Sequence, residues 1–188
     1  MSEYTRLRRQ QLIREAEGYV EFMALGAERW SLSQANLDLL GARALAVLAK
    51  LDPKSGQRGH ALYLTGMVYR AMGRHAEAID PLIEANKLDQ GNLEVGLALG
   101  WCYKRIQRVD LAIEALTEVL QANDQEAIVH YNLACYWSLS GNVGAAVRCL
   151  AHAFELNPEY RDKVTSESDF DPIRNHPEFQ SVISSVIV

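Results

Sequence analysis

The stretch Leu62-Tyr63-Leu64-Thr65-Gly66-Met67-Val68-Tyr69 returns 34 residues later as Gly96-Leu97-Ala98-Leu99-Gly100-Trp101-Cys102-Tyr103, and once more as His130-Tyr131-Asn132-Leu133-Ala134-Cys135-Tyr136-Trp137. The same step carries Gly73 to Gln107 and Gly141, Ala78 to Ala112 and Ala146, and Leu82 to Leu116 and Leu150. Columns that keep one period without an insertion mark a stacked array, in which each unit buries its apolar face only against its neighbours. The expected fold is therefore all-α, with each unit a pair of helices joined by a short turn.

Within the first unit, Leu62, Thr65, Gly66 and Tyr69 share one helical face, and Ala78, Leu82 and Ala85 form the facing stripe. Gly73 and Gly141 suit the left-handed backbone found just past a helix end. Gln107 holds that column in the middle unit, so its turn is expected to be satisfied differently or to be strained. Glycine inside a helix costs about 1 kcal/mol against alanine. Gly66 and Gly100 are thus expected where a paired helix approaches closely, and Ala134, the next smallest residue, fits the same account.

Upstream, Ala16, Tyr19, Val20, Met23, Ala27 and Trp30 recur at helical spacing in a long first helix, which Ser31 to Ser33 break and from which they cap the next. Leu37, Leu40, Ala44, Val47, Leu48 and Leu51 form a second stripe, closed by Asp52-Pro53. This reads as a degenerate helical pair over 1–54. Three repeats then occupy 55–158, at about 59–92, 93–126 and 127–160, and a segment over 159–188 closes the array. In that last segment 168–177 is turn-rich, and Glu178 to Ile183 reads as a short helix or strand. Phe170, Ile173 and Phe179 are expected to cover the apolar face of the helix from about Val143 to Leu156.

The chain has 188 residues, 48% of them hydrophobic and 23% charged, with a net charge of −5. That balance is globular, and its sign argues against a general nucleic-acid binder. No apolar run approaches the roughly 20 residues that span a bilayer. The basic start lacks the apolar core of a secretory signal, so a cytoplasmic protein is the expectation. Arg6, Arg8, Arg9 and Arg14 read as a solvated helix face. Cys102, Cys135 and Cys149 form no CxxC pair and read as small core residues. His60, His75, His130, His152 and His176 are scattered, so a metal site requires distant residues to converge. No catalytic, cofactor or metal residue is assigned. No nucleophile–base pair stands at useful spacing, and Gly91-Asn92 and Gly141-Asn142 are turn signals rather than phosphate loops.

These columns resemble the tetratricopeptide repeat: Leu62, Gly66, Tyr69, Ala78, Leu82 and Ala85, then Leu99-Gly100, Tyr103, Ala112 and Leu116, then Leu133-Ala134, Trp137, Ala146, Leu150, Ala153 and Pro158. Phe170 to Gln180 looks like the segment that closes such arrays in many bacterial proteins. Gln90 and Asp124 depart from the proline that usually ends a repeat, and Val119 from a small residue. The resemblance implies a right-handed superhelical array of antiparallel helix pairs, whose first helices line a concave groove that binds peptides or partner proteins without catalysis.

Given that groove, helical spacing places Tyr63, Met67 and Arg70 on its stripe. A step of one period adds Leu97, Trp101 and Lys104 with Arg105 at the flank, and a second adds Tyr131, Cys135 and Ser138. The bland alternative is packing against neighbouring first helices or the N-terminal helix. Co-chaperone versions of the repeat grip terminal carboxylates with Lys, Asn and Arg. Here Tyr63, Met67, Ala98, Ile128 and Asn132 stand at those positions, and a register one unit earlier does no better. The expected ligand is instead a protein or peptide with apolar anchors and acidic flanks. A self-assembling or oligomerisation module, or a secretion-chaperone-like binder of an apolar export segment, are the alternatives. Neither nucleic acid nor membrane is an expected partner.

Overall fold

The computed structural model describes residues 3–29, 31–51 and 56–184. Trp30, and residues 52–55 with the expected closing Asp52-Pro53, lie outside them. Among the described residues every regular element is helical. The chain divides into two compact units at Asp89/Gln90.

The first unit holds α1 (Glu3–Arg29), α2 (Gln34–Leu48), α3 (Arg58–Ala71) and α4 (His75–Leu88). Ser33 caps α2, its side chain accepting from the Asn36 N–H. That helix stops at Leu48, short of the Asp52-Pro53 expected to close it. Ile13, Ala16 and Met23 of α1 bury against Leu37, Ala44 and Val47 of α2 and Leu64 and Val68 of α3. The N-terminal pair therefore shares one core with the first repeat.

The second unit runs through α5 (Leu93–Arg105), α6 (Val109–Ala122), α7 (Ala127–Leu139), α8 (Val143–Leu156) and α9 (Tyr160–Val164). A 3-10 helix (Ser168–Ile173) and α10 (Pro177–Ser184) complete it. The short α9 was not read from the sequence, and Glu178 to Ile183 is helical, not strand. Asn92 and Asn142 cap α5 and α8 by accepting from the N–H groups of Val95 and Ala145.

The small-residue column sits where the paired helices meet. A Cβ on Gly66 would lie 2.5 Å from Leu82 Cγ, and one on Gly100 would lie 3.2 Å from Tyr136 Cε2 and 3.3 Å from Leu116 Cγ. Val119, where the repeat expects a small residue, is compensated across the pair: Gly96 leaves room for it, and a Cβ there would collide with Val119 Cγ2. One period earlier the sizes are exchanged, with Leu62 opposite the column of Ala85.

All three repeat turns close alike. The backbone is left-handed at Gly73 (φ 74°), Gln107 (φ 62°) and Gly141 (φ 77°). In each, the next N–H reaches back to the carbonyl five residues earlier: Arg74 to Tyr69, Arg108 to Tyr103 and Asn142 to Trp137, all at 2.9 Å. Gln107 is therefore the strained variant of a common turn.

Phe170, Ile173 and Phe179 are buried as anticipated and share one core with Leu150 and Phe154 of α8. The short α9 and α10 pack on α8, whereas the 3-10 helix packs on α7.

Candidate docking site on the second unit

The last turn of α5 gathers Trp101, Lys104 and Arg105, at the helix end where the backbone dipole favours cations. Trp101 is 38% exposed. Lys104 Nζ lies 5.6 Å and Arg105 Cζ 6.0 Å from its ring centroid, within cation–π range. Leu97, one turn back, is half-buried and packs at the edge of the core. Arg105 is exposed and pairs with no carboxylate among the described residues.

Lys104 also reaches across to the tail, where its ammonium donates to Asp169 Oδ2. Asp169 is one of two buried polar residues among those described, and the other is Ser138. Its backbone N–H donates to Glu167 Oε1 at 3.1 Å, which caps the 3-10 helix. The next residue, Phe170, is fully buried, edge-on to Tyr131 at 5.8 Å and tilted against Phe179 at 5.3 Å. Tyr160 of α9 stacks on the Tyr131 ring at 4.7 Å.

Tyr131, Cys135 and Ser138, expected along an open groove, are therefore buried, and the tail lies on their helix. The packing alternative to an open groove involves neighbouring first helices or the N-terminal helix; in the second unit a C-terminal segment also packs on α7. The Tyr131 hydroxyl and Ser138 Oγ have no hydrogen-bond partner among the described residues. Burial pushes the Tyr131 phenol up, helped by Cys135, Glu167 and Asp169 nearby. Burial likewise raises the Cys135 thiol, with Asp169 and Glu167 adding and Lys104 opposing. Both groups stay protonated through the neutral range.

The Cys135 sulfur and the carboxylates of Glu167 and Asp169 do converge, their ligand atoms lying within 4.8 Å of one another. Each already has a structural role, however. Asp169 is neutralised by Lys104, Glu167 caps the 3-10 helix, and Cys135 is a protonated core thiol. His130 and His152, scattered in sequence, meet at 5.4 Å between ring centroids. That contact follows from the α7–α8 pairing, and the repeat columns did not single it out.

On the first unit Tyr63, Met67 and Arg70 are all half-buried along α3. The Arg70 guanidinium lies 3.6 Å from Met67 Sδ. Tyr63 stacks on His60, whose Nε2 is 2.8 Å from Glu17 of α1. Between α2 and α3 there is also an open pocket of about 470 Å³, with Leu48, Leu51, Leu62 and Tyr69 among its walls.

Comparison with known proteins then places the repeats: the tetratricopeptide repeat family model matches residues 69–134. Residues 69–134 are tetratricopeptide repeats. Among curated proteins it is similar to BBSome complex member BBS4 of Bos taurus, 30% identical over 95 residues, and of Mus musculus, 28% identical over 95 residues. Those matches cover 50% of this chain and only 18% of either relative. Among solved structures it resembles MamA MSR-1 C2, with a TM-score of 0.57 and 18% identity over 85% of this chain and 99% of that one. A crystal structure of MamA gives 0.61 and 18%, over 79% of this chain and 90% of that one. At such identity the likeness concerns the fold. Tetratricopeptide repeats are typical of protein–protein interaction scaffolds, and the fold is a scaffold rather than an enzyme class. No described helix is long and apolar enough to cross a membrane.

Proposed function

We propose that the protein is an interaction scaffold that takes a segment of a partner protein on the α5 face of its second unit. The observation that carries this reading is Trp101, a large aromatic left substantially exposed and flanked by two cations. An exposed indole is apolar surface that a partner can bury, and aromatic and arginine positions dominate interface energetics. Lys104 and Arg105 favour an acidic segment beside the apolar anchor, in a chain whose net charge is −5. Tyr63, Met67 and Arg70 on the first unit form a second patch of similar character.

Once a partner is captured and its segment mapped, Trp101→Ala is expected to weaken binding at least tenfold in a folded chain, about 1.4 kcal/mol or more. Arg105→Ala is expected to act mainly on salt dependence. Unchanged affinity in a folded Trp101→Ala chain contradicts the reading.

Self-association has its own support on the first unit. The helix α1 exposes Leu7, Phe22 and Leu25, at 53%, 46% and 46%. Sedimentation across a concentration series separates the two readings, because a chain that stays monomeric leaves α1 without a role in assembly.

A further inference from the structure

The tail of the second unit is seated much as a bound peptide would be. The Asp169 carboxylate bonds to Lys104, the adjacent Phe170 ring is enclosed by Tyr131 and Phe179, and Glu167 caps the turn that presents both. The fit is nevertheless incomplete. Tyr131 is 7% exposed and Ser138 0%, yet neither hydroxyl has a partner among the described residues. Tyr160 and Phe170 lie against the Tyr131 ring, so the closed arrangement carries the desolvation of its hydroxyl, which water would satisfy in an open groove. The segment is also a six-residue 3-10 helix, a form with poorer hydrogen-bond geometry than an α-helix. Among the described residues its one ion pair to α5 is that made by Lys104.

We propose that residues 167–173 are a replaceable occupant of the α5–α7 face, and that this face takes from a partner protein a segment of the same chemistry. That segment carries a carboxylate followed at once by an aromatic residue, and a polar group that reaches the Tyr131 hydroxyl. The proposal rests on the scaffold reading and deepens it. Lys104 links the two sites, because the same ammonium that holds Asp169 also lies over Trp101. A partner carboxylate that takes Lys104 from Asp169 brings its own chain beside the exposed indole and Arg105. Release of the tail and docking at Trp101 are then one binding event, and the partner competes with a tethered tail of high effective concentration.

The test uses the full chain and a fluorescent synthetic peptide copying residues 166–180. Wild-type chain is expected to bind it weakly, because its own tail competes. The Asp169→Lys chain, whose tail is repelled by Lys104, is expected to bind it at least tenfold more tightly. Lys104→Glu should abolish binding, and a peptide with lysine at the position of Asp169 should restore it to the Lys104→Glu chain. No binding to a folded Asp169→Lys chain overturns the proposal. If that variant does not fold, hydrogen exchange on the wild type decides. Amides of residues 160–184 should exchange through an opening that leaves α5 to α8 protected, and Tyr131→Phe should slow that opening by removing an unpaired hydroxyl from the closed state. Tail amides that exchange only with global unfolding overturn the proposal. A partner that binds through Trp101 while the tail stays protected overturns displacement and leaves the scaffold reading standing. Partner binding indifferent to Trp101 overturns the scaffold reading itself.

Discussion

Trp101 and Cys135 occupy the same position of successive repeats, one period apart, yet Trp101 is 38% exposed and Cys135 2%. The helices that carry them are built alike, each with a small residue one position earlier, Gly100 or Ala134, packed in the core. What separates the two positions is a segment more than thirty residues downstream of Cys135, folded back onto α7 and tied to α5 through Lys104 and Asp169. A repeat column therefore fixes where a side chain points, and a non-repeating segment fixes whether anything can reach it. Periodicity determines the surface; the tail decides how much of it is exposed.

The strongest way to break this comparison is to remove the tail's main anchor. Phe170→Ala deletes a fully buried ring from the Tyr131–Phe179 cluster, and truncations of this kind cost about 3–5 kcal/mol. Thermal denaturation is expected to show a marked fall in Tm. Unchanged stability would mean that the tail contributes little to the core of the second unit.

Next in size is the small-residue column, where the two repeats are alike. Gly100→Leu forces a side chain against Leu116 and Tyr136, at a cost of about 1–3 kcal/mol despite leucine's better helix propensity. A raised melting temperature would show that the helices can part there without penalty.

The smallest expected effect lies in the turns. Gln107 holds a left-handed backbone that costs an ordinary residue about 1–2 kcal/mol, while glycine takes the same turn at 73 and 141. Gln107→Gly is expected to stabilise by about 1 kcal/mol or less, and Gly141→Gln to destabilise by about as much. Chemical denaturation of both variants should show opposite signs. Equal signs would remove the strain argument.

These sites also show what the sequence could and could not tell. The helix pairs, the close approach at Gly66 and Gly100, and the special turn at Gln107 were all legible, because each follows from contacts inside one repeat or across one pair. Phe170, Ile173 and Phe179 were legible as buried, since apolar residues in a polar tail need cover. Their seat on α7 was not. It includes an ion pair between residues 65 apart, Lys104 and Asp169, and neither residue's local pattern names its partner. The burial of Tyr131 and Cys135 goes with that same returning segment, whose Tyr160 and Phe170 lie against the Tyr131 ring and whose Glu167 and Asp169 lie beside the Cys135 sulfur. Helical spacing placed them on one stripe, and it carries no information about a segment lying over that stripe. Val119 shows the reverse case: it looked like a departure from the repeat and is accommodated by Gly96 within the same pair.

The most direct test of the difference between α5 and α7 is native-state alkylation of the three cysteines, mapped by mass spectrometry in the wild type and in Lys104→Glu. In the wild type the half-buried Cys149 should label first, while Cys102 and Cys135, both buried and Cys135 further held protonated, should resist. Reversing the charge of Lys104 sets it against Asp169 and should loosen the tail, so that Cys135 becomes reactive while Cys102, in the core of α5, stays protected. A Cys135 that remains as protected as Cys102 in a folded Lys104→Glu chain would contradict the claim that the Lys104–Asp169 tie keeps α7 covered.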